Sequence, residues 1–261
     1  MYFFTSIDYC DRMTAGMVKN RLDVIEDNAS CKERAQTLLV FLPGAYDTPQ
    51  DFIRHGFVAQ LRARQLAADL VMADTHVAYY TAGQLVQRLH QDIIEPARRN
   101  GYTQIWLIGI SLGGYGALLY ASRHADQISG MFLLAPFLGN RSLLAEIERS
   151  GLSQWHADLS PTQETHDDEQ QMWLWLKNHC AQMGRNAHPS STGSSDSCST
   201  FPLYIAYGTE DRFTASNRML ARNLGAHYVM TTHGAHEWDA WQRLWIDFLE
   251  RKLLPQSEDC I

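Results

Sequence analysis

The sequence predicts an α/β fold in which helices cover both faces of a mostly parallel central sheet. Short apolar segments alternate with amphipathic segments of helical length along most of the chain. Some of the short segments are apolar at every position, as residues 38–42 are, which is typical of strands buried on both faces. With 261 residues, 45% hydrophobic, the chain can bury a large core. We therefore predict a single domain over residues 1–261.

The expected elements follow from these periodicities. Strands are predicted at 37–42, 70–73, 104–108, 130–135, 203–207 and 227–231. Helices are predicted at 50–67, 82–100, 112–124, 215–224 and 237–253. Residues 1–36 show a weaker pattern that fits one or two edge strands.

The alternation breaks between residues 137 and 200. Residues 143–149 and 170–178 have helical patterns, and 184–200 has the Ser, Gly and Asn content of a flexible loop. An insertion at this point would lie above the carboxyl edge of the sheet. We interpret 137–200 as a small cap with a flexible return loop; the alternative is a surface excursion unrelated to function.

Composition excludes several classes of function. A net charge of −7 gives no support for nucleic-acid binding. No apolar stretch approaches the roughly 18 residues that span a bilayer, and the N-terminus has no signal-peptide pattern. No C-x-x-C pair occurs among the cysteines, which are Cys10, Cys31, Cys180, Cys198 and Cys260. We expect mostly reduced thiols in a cytoplasmic protein, without a disulfide framework or zinc site.

Residues 109–113 read Gly-Ile-Ser-Leu-Gly, with a predicted strand before them and a predicted helix after them. A serine on such a tight turn, at the N-terminus of a helix, is typical of a nucleophile elbow. The helix dipole and free backbone N–H groups favour negative charge there. Without those flanks the pattern would indicate only a Gly-Ser turn between two core elements.

A serine nucleophile needs a histidine base, and the histidine needs a carboxylate that orients it. Asp211 follows the strand predicted at 203–207, and His236 follows the strand at 227–231. Carboxyl ends of parallel strands meet at one edge of a sheet, so both should lie near Ser111. Glu210 and His233 remain alternatives for the acid and the base. The two histidines lack the carboxylate or cysteine cluster of a metal site.

An oxyanion hole needs two backbone N–H groups directed at the developing charge. One is expected from Leu112, the residue after the serine. The other is expected from Ala45, in the Pro-Gly-Ala-Tyr loop after the strand at 37–42. Gly44 allows the sharp turn that this loop requires.

In these motifs the chain resembles the serine esterases and lipases of the α/β-hydrolase superfamily. The elbow and the residues after it, 109–117, are similar to the esterase D and feruloyl-esterase-like branches, as is Gly-Ala-His-Glu-Trp at 234–238. The resemblance implies Ser111 as nucleophile, Asp211 as acid and His236 as base, with no cofactor. Two departures are a short N-terminal region before the first core strand and the absence of a His-Gly-Gly-Gly oxyanion loop.

The expected reaction is hydrolysis of a small-molecule carboxylic ester through an acyl-enzyme. A thioesterase or acyltransferase would use the same residues, and a non-catalytic ligand-binding protein could share the fold. The last predicted helix carries tryptophans at helical spacing, which indicates a buried face. Residues predicted to line an apolar substrate pocket are Tyr46, Phe137, Leu138, Trp173 and Trp175.

Overall fold

The computed structural model describes residues 18–158, 167–186, 200–257 and 259–260. These residues form a seven-stranded sheet in the spatial order β1-β3-β2-β4-β5-β6-β7. Neighbouring strands pair in parallel, except that β1 is antiparallel to β3. The strands are β1 Val24–Asp27, β2 Thr37–Leu42, β3 Ala68–Ala73, β4 Gln104–Ile110, β5 Gly130–Leu134, β6 Leu203–Gly208 and β7 Val229–Thr232. The mostly parallel sheet predicted from the sequence is confirmed, and β1 is the edge strand expected before residue 37.

Helices connect the parallel strands. They are α1 Pro49–Arg54, α2 Phe57–Arg62, α3 Val77–Thr81, α4 Leu85–Leu89, α5 Glu95–Arg99, α6 Leu112–His124, α7 Arg141–Ser150, α8 Asp167–Asn186, α9 Thr214–Ala221 and α10 Trp238–Glu250. Across the described residues, none of these helices combines the length and apolar character needed to cross a bilayer.

Two predicted helices differ from the observed ones for local backbone reasons. The helix expected at 50–67 is broken at Gly56, which has φ +78° and begins α2 in a new direction. The helix expected at 82–100 starts at Leu85, and a π-helical segment, His90–Ile94, separates α4 from α5. Pro96 follows that segment and has no N–H for a helical hydrogen bond, so a local change of helical geometry fits its position.

The core holds β2 and the last helix together. All six residues of β2 are buried. Phe41 of β2 lies with its ring centroid 5.6 Å from that of Trp245 in α10, and Phe57 stacks on the same indole at 5.5 Å. Because Trp241 is also buried, the predicted inner face of the last helix is present and fixes the loop that precedes it.

The described part of 137–200 is integrated into the main core. Helices α7 and α8 include the two predicted helices, and α8 packs against α6. Met172 and Leu176 of α8 have no exposed surface. Residues 184–186 form the last turn of α8, not a loop as expected, and residues 187–199 of the predicted loop lie outside the described residues. The interpretation of 137–200 as a cap stays a prediction.

The expectation of reduced thiols is wrong for one pair of cysteines. Cys31 and Cys260 form a disulfide with their Cα atoms 4.0 Å apart, although 229 positions separate them in the sequence. Cys180 is a buried free thiol, and burial raises its pKa to about 12. Cys10 and Cys198 lie outside the described residues. Disulfides persist mainly in oxidising compartments, and the expected cytoplasmic location stays a prediction.

Candidate active site

Ser111 lies in a strained turn between β4 and α6. Its backbone angles, φ 52° and ψ −112°, are unusual for a residue with a side chain. Three hydrogen bonds hold the turn: the Ser111 N–H donates to the carbonyl of Leu134 at 2.9 Å, and the Ser111 carbonyl accepts from the N–H groups of Phe137 at 3.0 Å and Tyr115 at 3.2 Å. The end of β5 therefore sets the direction of the serine side chain.

Two glycines make this turn sterically possible. A Cβ atom at Gly109 would lie 2.5 Å from the carbonyl oxygen of Gly113. A Cβ atom at Gly113 would overlap the carbonyl of Leu42 at the end of β2. Since both obstacles are backbone, no side-chain movement relieves them.

We expect Gly113→Ala to lower the free energy of unfolding by about 1–3 kcal/mol, the typical cost of adding atoms to a well-packed core. The measurement is equilibrium denaturation in urea. Gly184→Ala is the matched control, because Gly184 lies in α8 with open space around it and alanine favours helix. Equal free energies of unfolding for the two variants would contradict this expectation. They would mean that β2 and the turn at Ser111 move apart at little cost to make room for the added Cβ atom.

The structure brings three predicted side chains into one hydrogen-bonded chain. His236 Nε2 lies 3.0 Å from Ser111 Oγ, and His236 Nδ1 lies 2.7 Å from Asp211 Oδ2. The Asp211 side chain has no exposed surface, and 12% of the His236 side chain is exposed. The second Asp211 oxygen, Oδ1, accepts the N–H of Phe213 at 2.7 Å. The carboxylate is thus fixed at both oxygens and aligned with the imidazole.

The two alternatives left open by the sequence lie together elsewhere. Glu210 Oε1 is 3.3 Å from His233 Nε2, and both side chains are more than half exposed, at 62% and 85%. Neither is hydrogen-bonded to Ser111 or His236 among the contacts of the described residues. The same residues include no group of three His, Cys, Asp or Glu arranged to hold a metal.

Aromatic rings that the sequence analysis did not single out for the site enclose the imidazole of His236. The Phe213 ring meets it edge to face at 5.1 Å, and the Trp241 ring does so at 5.0 Å. Phe213 is two residues after Asp211 in the sequence. Its closeness to a predicted catalytic acid was the signal that could have placed it in the site. These rings limit rotation of the imidazole and keep water from most of it.

The two predicted N–H donors belong to segments that lie next to Ser111. Leu112 is the first residue of α6, so its N–H has no acceptor within the helix. The loop after β2 passes so close that a Cβ atom at Gly44 would lie 3.6 Å from the Cβ of Ser111. Ala45 follows directly in that loop and is half-buried. An oxyanion hole formed by Ala45 and Leu112 stays a prediction that this proximity supports.

Asp47 is a second carboxylate at this edge that the sequence analysis missed. Its Oδ1 accepts the indole N–H of Trp238 at 3.0 Å, which links the loop after β2 to the start of α10. Burial raises the pKa of Asp47, while the Trp238 hydrogen bond and nearby His236 oppose that rise. The signal in the sequence was its place one residue after Tyr46, in the predicted oxyanion loop.

The structure separates the five predicted pocket residues. Tyr46 lies in the loop after β2 and is exposed. Trp173 has no exposed surface and donates its indole N–H to the Leu138 carbonyl at 2.8 Å, so it packs in the core. Trp175 stacks on His179 at 4.7 Å, and neither tryptophan borders the cavity that Phe137 and Leu138 line. Both tryptophans of α8 therefore serve packing.

The chain was compared with known protein families, curated proteins and solved structures. It matches the model of the Alpha/beta hydrolase family over residues 39–245. No curated protein matches the chain significantly.

Solved structures with a similar fold include the following three proteins. Est1E from Butyrivibrio proteoclasticus has a TM-score of 0.55 at 14% identity, covering 89% of this chain and 94% of its own. S-formylglutathione hydrolase (FrmB) from Staphylococcus aureus has a TM-score of 0.53 at 13% identity, and the match covers 90% of this chain and 99% of that protein. A ferulic acid esterase has a TM-score of 0.52 at 12% identity, and the match covers 88% of this chain and 96% of that protein. At these identities the likeness shows a common fold.

Since the family model spans most of the sequence, this chain belongs to the α/β-hydrolase family.

Proposed function

We propose that this protein is a serine hydrolase that cleaves carboxylic esters through an acyl-enzyme. The observation that carries the proposal is the hydrogen-bonded chain Asp211–His236–Ser111 at a strained strand-to-helix turn. Serine needs a neighbouring base to become a nucleophile, and a buried carboxylate stabilises the imidazolium that forms.

In the proposed reaction, His236 Nε2 removes the proton of Ser111 Oγ while the oxygen attacks the ester carbonyl. The N–H groups of Ala45 and Leu112 hold the resulting oxyanion. The carbon–oxygen bond to the alcohol breaks, and the alcohol leaves with the proton from His236. Water then loses a proton to His236 and attacks the acyl-serine, which releases the acid and restores Ser111.

The named similar structures agree with this class of reaction. Two of them are named as a ferulic acid esterase and an S-formylglutathione hydrolase. Both names denote hydrolytic enzymes, although the fold alone does not carry their substrates to this chain. The proposal therefore rests on the side chains of this site.

The test is a panel of p-nitrophenyl esters of increasing acyl length, together with labelling by a fluorophosphonate probe. We expect turnover of esters with a modest apolar or aromatic acyl group. We also expect one covalent label, located on Ser111 by peptide mass spectrometry. Absence of both label and turnover would favour a non-catalytic ligand-binding protein.

Two further assays separate the reactions that share this machinery. An acyl-CoA in place of the ester tests thioester cleavage, and an added alcohol acceptor tests acyl transfer. A higher kcat/KM for the thioester, or acylated alcohol as the main product, would replace ester hydrolysis as the principal activity.

A further inference from the structure

A cavity of about 490 Å³ lies between α7 and α9, beside the proposed catalytic residues. Its apolar wall includes Leu138, Leu144 and Met219. Phe137 and Phe213 line the end towards Ser111, where their rings meet at 5.8 Å.

Both aromatic residues connect this cavity to the site. Phe213 packs edge to face on His236 at 5.1 Å, and the backbone N–H of Phe137 donates to the Ser111 carbonyl at 3.0 Å. Phe137 and Phe213 therefore lie both against the proposed catalytic residues and in the lining of the cavity.

The lining of the cavity is also strongly basic. Four arginines are among the lining residues, against a single carboxylate, Glu148; the arginines are Arg141, Arg212, Arg218 and Arg222. This clustering contrasts with the chain as a whole, whose net charge is −7. The guanidinium of Arg212 lies 4.9 Å from the centre of the Phe213 ring, so positive charge begins directly at the aromatic end.

The one carboxylate in the lining, Glu148, is paired with Arg222 through an exposed contact. Glu148 Oε1 is 2.7 Å from Arg222 Nη1, but the two side chains are 52% and 61% exposed. Exposed pairs of this kind contribute little stability. An incoming anion can therefore replace Glu148 as the partner of Arg222, and guanidinium groups bind carboxylates and phosphates in a bidentate manner.

We propose that this cavity binds the anionic end of the substrate. The preferred substrates would then be esters whose acyl or alcohol part carries a carboxylate or phosphate beyond an apolar segment. The inference rests on the proposed function of Ser111, and it specifies the class of ester. The apolar wall takes the segment, and Arg212, Arg218 and Arg222 take the charge.

The first test compares p-nitrophenyl esters of dicarboxylic acids, which keep one free carboxylate, with uncharged esters of the same length. We expect a higher kcat/KM for the anionic member at a spacer length that reaches the arginines. The preference should decrease with added salt, because screening weakens exposed charge pairs. Equal values for charged and uncharged esters at every length would overturn the proposal while leaving ester hydrolysis intact.

The second test changes one arginine. Arg218→Gln should lower the ratio of kcat/KM for anionic over neutral esters roughly 3- to 10-fold, the range for one partly exposed charge-assisted contact. Arg149→Gln is the matched control, because Arg149 is an exposed residue of α7 that does not line the cavity. An equal drop in both variants would indicate a general effect of surface charge and would contradict the proposal.

A third test measures binding without catalysis. Titration calorimetry with the Ser111→Ala variant compares hexanoate, hexyl phosphate and hexanol. Binding of either anion but not of the alcohol supports the cavity even if no ester is turned over, and the stronger anion identifies carboxylate or phosphate as the preferred group. Binding of hexanol as tight as that of both anions would overturn the role of the arginines.

Discussion

Ser111→Ala is expected to lower kcat for p-nitrophenyl esters by a factor on the order of 10⁵–10⁶, the loss typical when the serine of such a triad is removed. The reason is that the variant lacks the hydroxyl that lies 3.0 Å from His236 Nε2, so the imidazole has no nucleophile to activate. The fold should persist, because the hydrogen bonds of the turn use backbone atoms of Ser111 and alanine also carries a Cβ atom.

The measurements are steady-state kinetics, fluorophosphonate labelling and thermal unfolding of the same preparations. Ser122→Ala is the control. Ser122 is also on α6, and its hydroxyl only donates to the Leu119 carbonyl at 2.8 Å. We expect this control to keep its activity and its label. A Ser111→Ala variant that keeps both would require another nucleophile.

Asp211→Asn has the second-largest expected effect, a decrease in kcat of roughly 10⁴-fold. Asp211 Oδ1 already accepts the N–H of Phe213 at 2.7 Å, so the asparagine oxygen should stay there. Its NH₂ group would then face His236 Nδ1 and donate to it. The imidazole would carry its proton on Nε2, where it can no longer accept the serine proton.

Glu210→Gln tests the neighbouring carboxylate with the same change of charge. Glu210 is exposed and paired with His233, so we expect activity close to that of the unmodified protein. The pH profile of kcat/KM should change in the Asp211 variant alone. Similar losses in both variants would mean that the local negative charge matters more than the hydrogen bond to His236.

Much of the sheet could be predicted because burial on both faces leaves a clear pattern. β2 has the predicted bounds, 37–42, and all six of its residues are buried. The positions of Asp211 and His236 followed from the same logic, since residues after parallel strands meet at one edge. The order of Ser111, Asp211 and His236 along the chain then favoured one common site over three unrelated turns.

Other features depend on contacts between distant parts of the chain, which single-sequence patterns do not contain. Trp173 has the same local pattern whether it lines a pocket or packs on Leu138, and the structure shows the packing. The break at Gly56 requires φ +78°, which a glycine permits but does not demand. The basic cluster joins Arg141 to Arg218 across a long stretch of sequence, so composition alone gives no sign of it.

The bond between Cys31 and Cys260 has a topological consequence. It closes the chain between these two residues into a covalent loop, so one proteolytic cut within that loop releases no fragment. A gel run without reductant would then show a single species of nearly unchanged mass after such a cut, and the cut would appear only after reduction. Limited proteolysis of the oxidised protein therefore counts cleavage events correctly only when each sample is also analysed in reduced form.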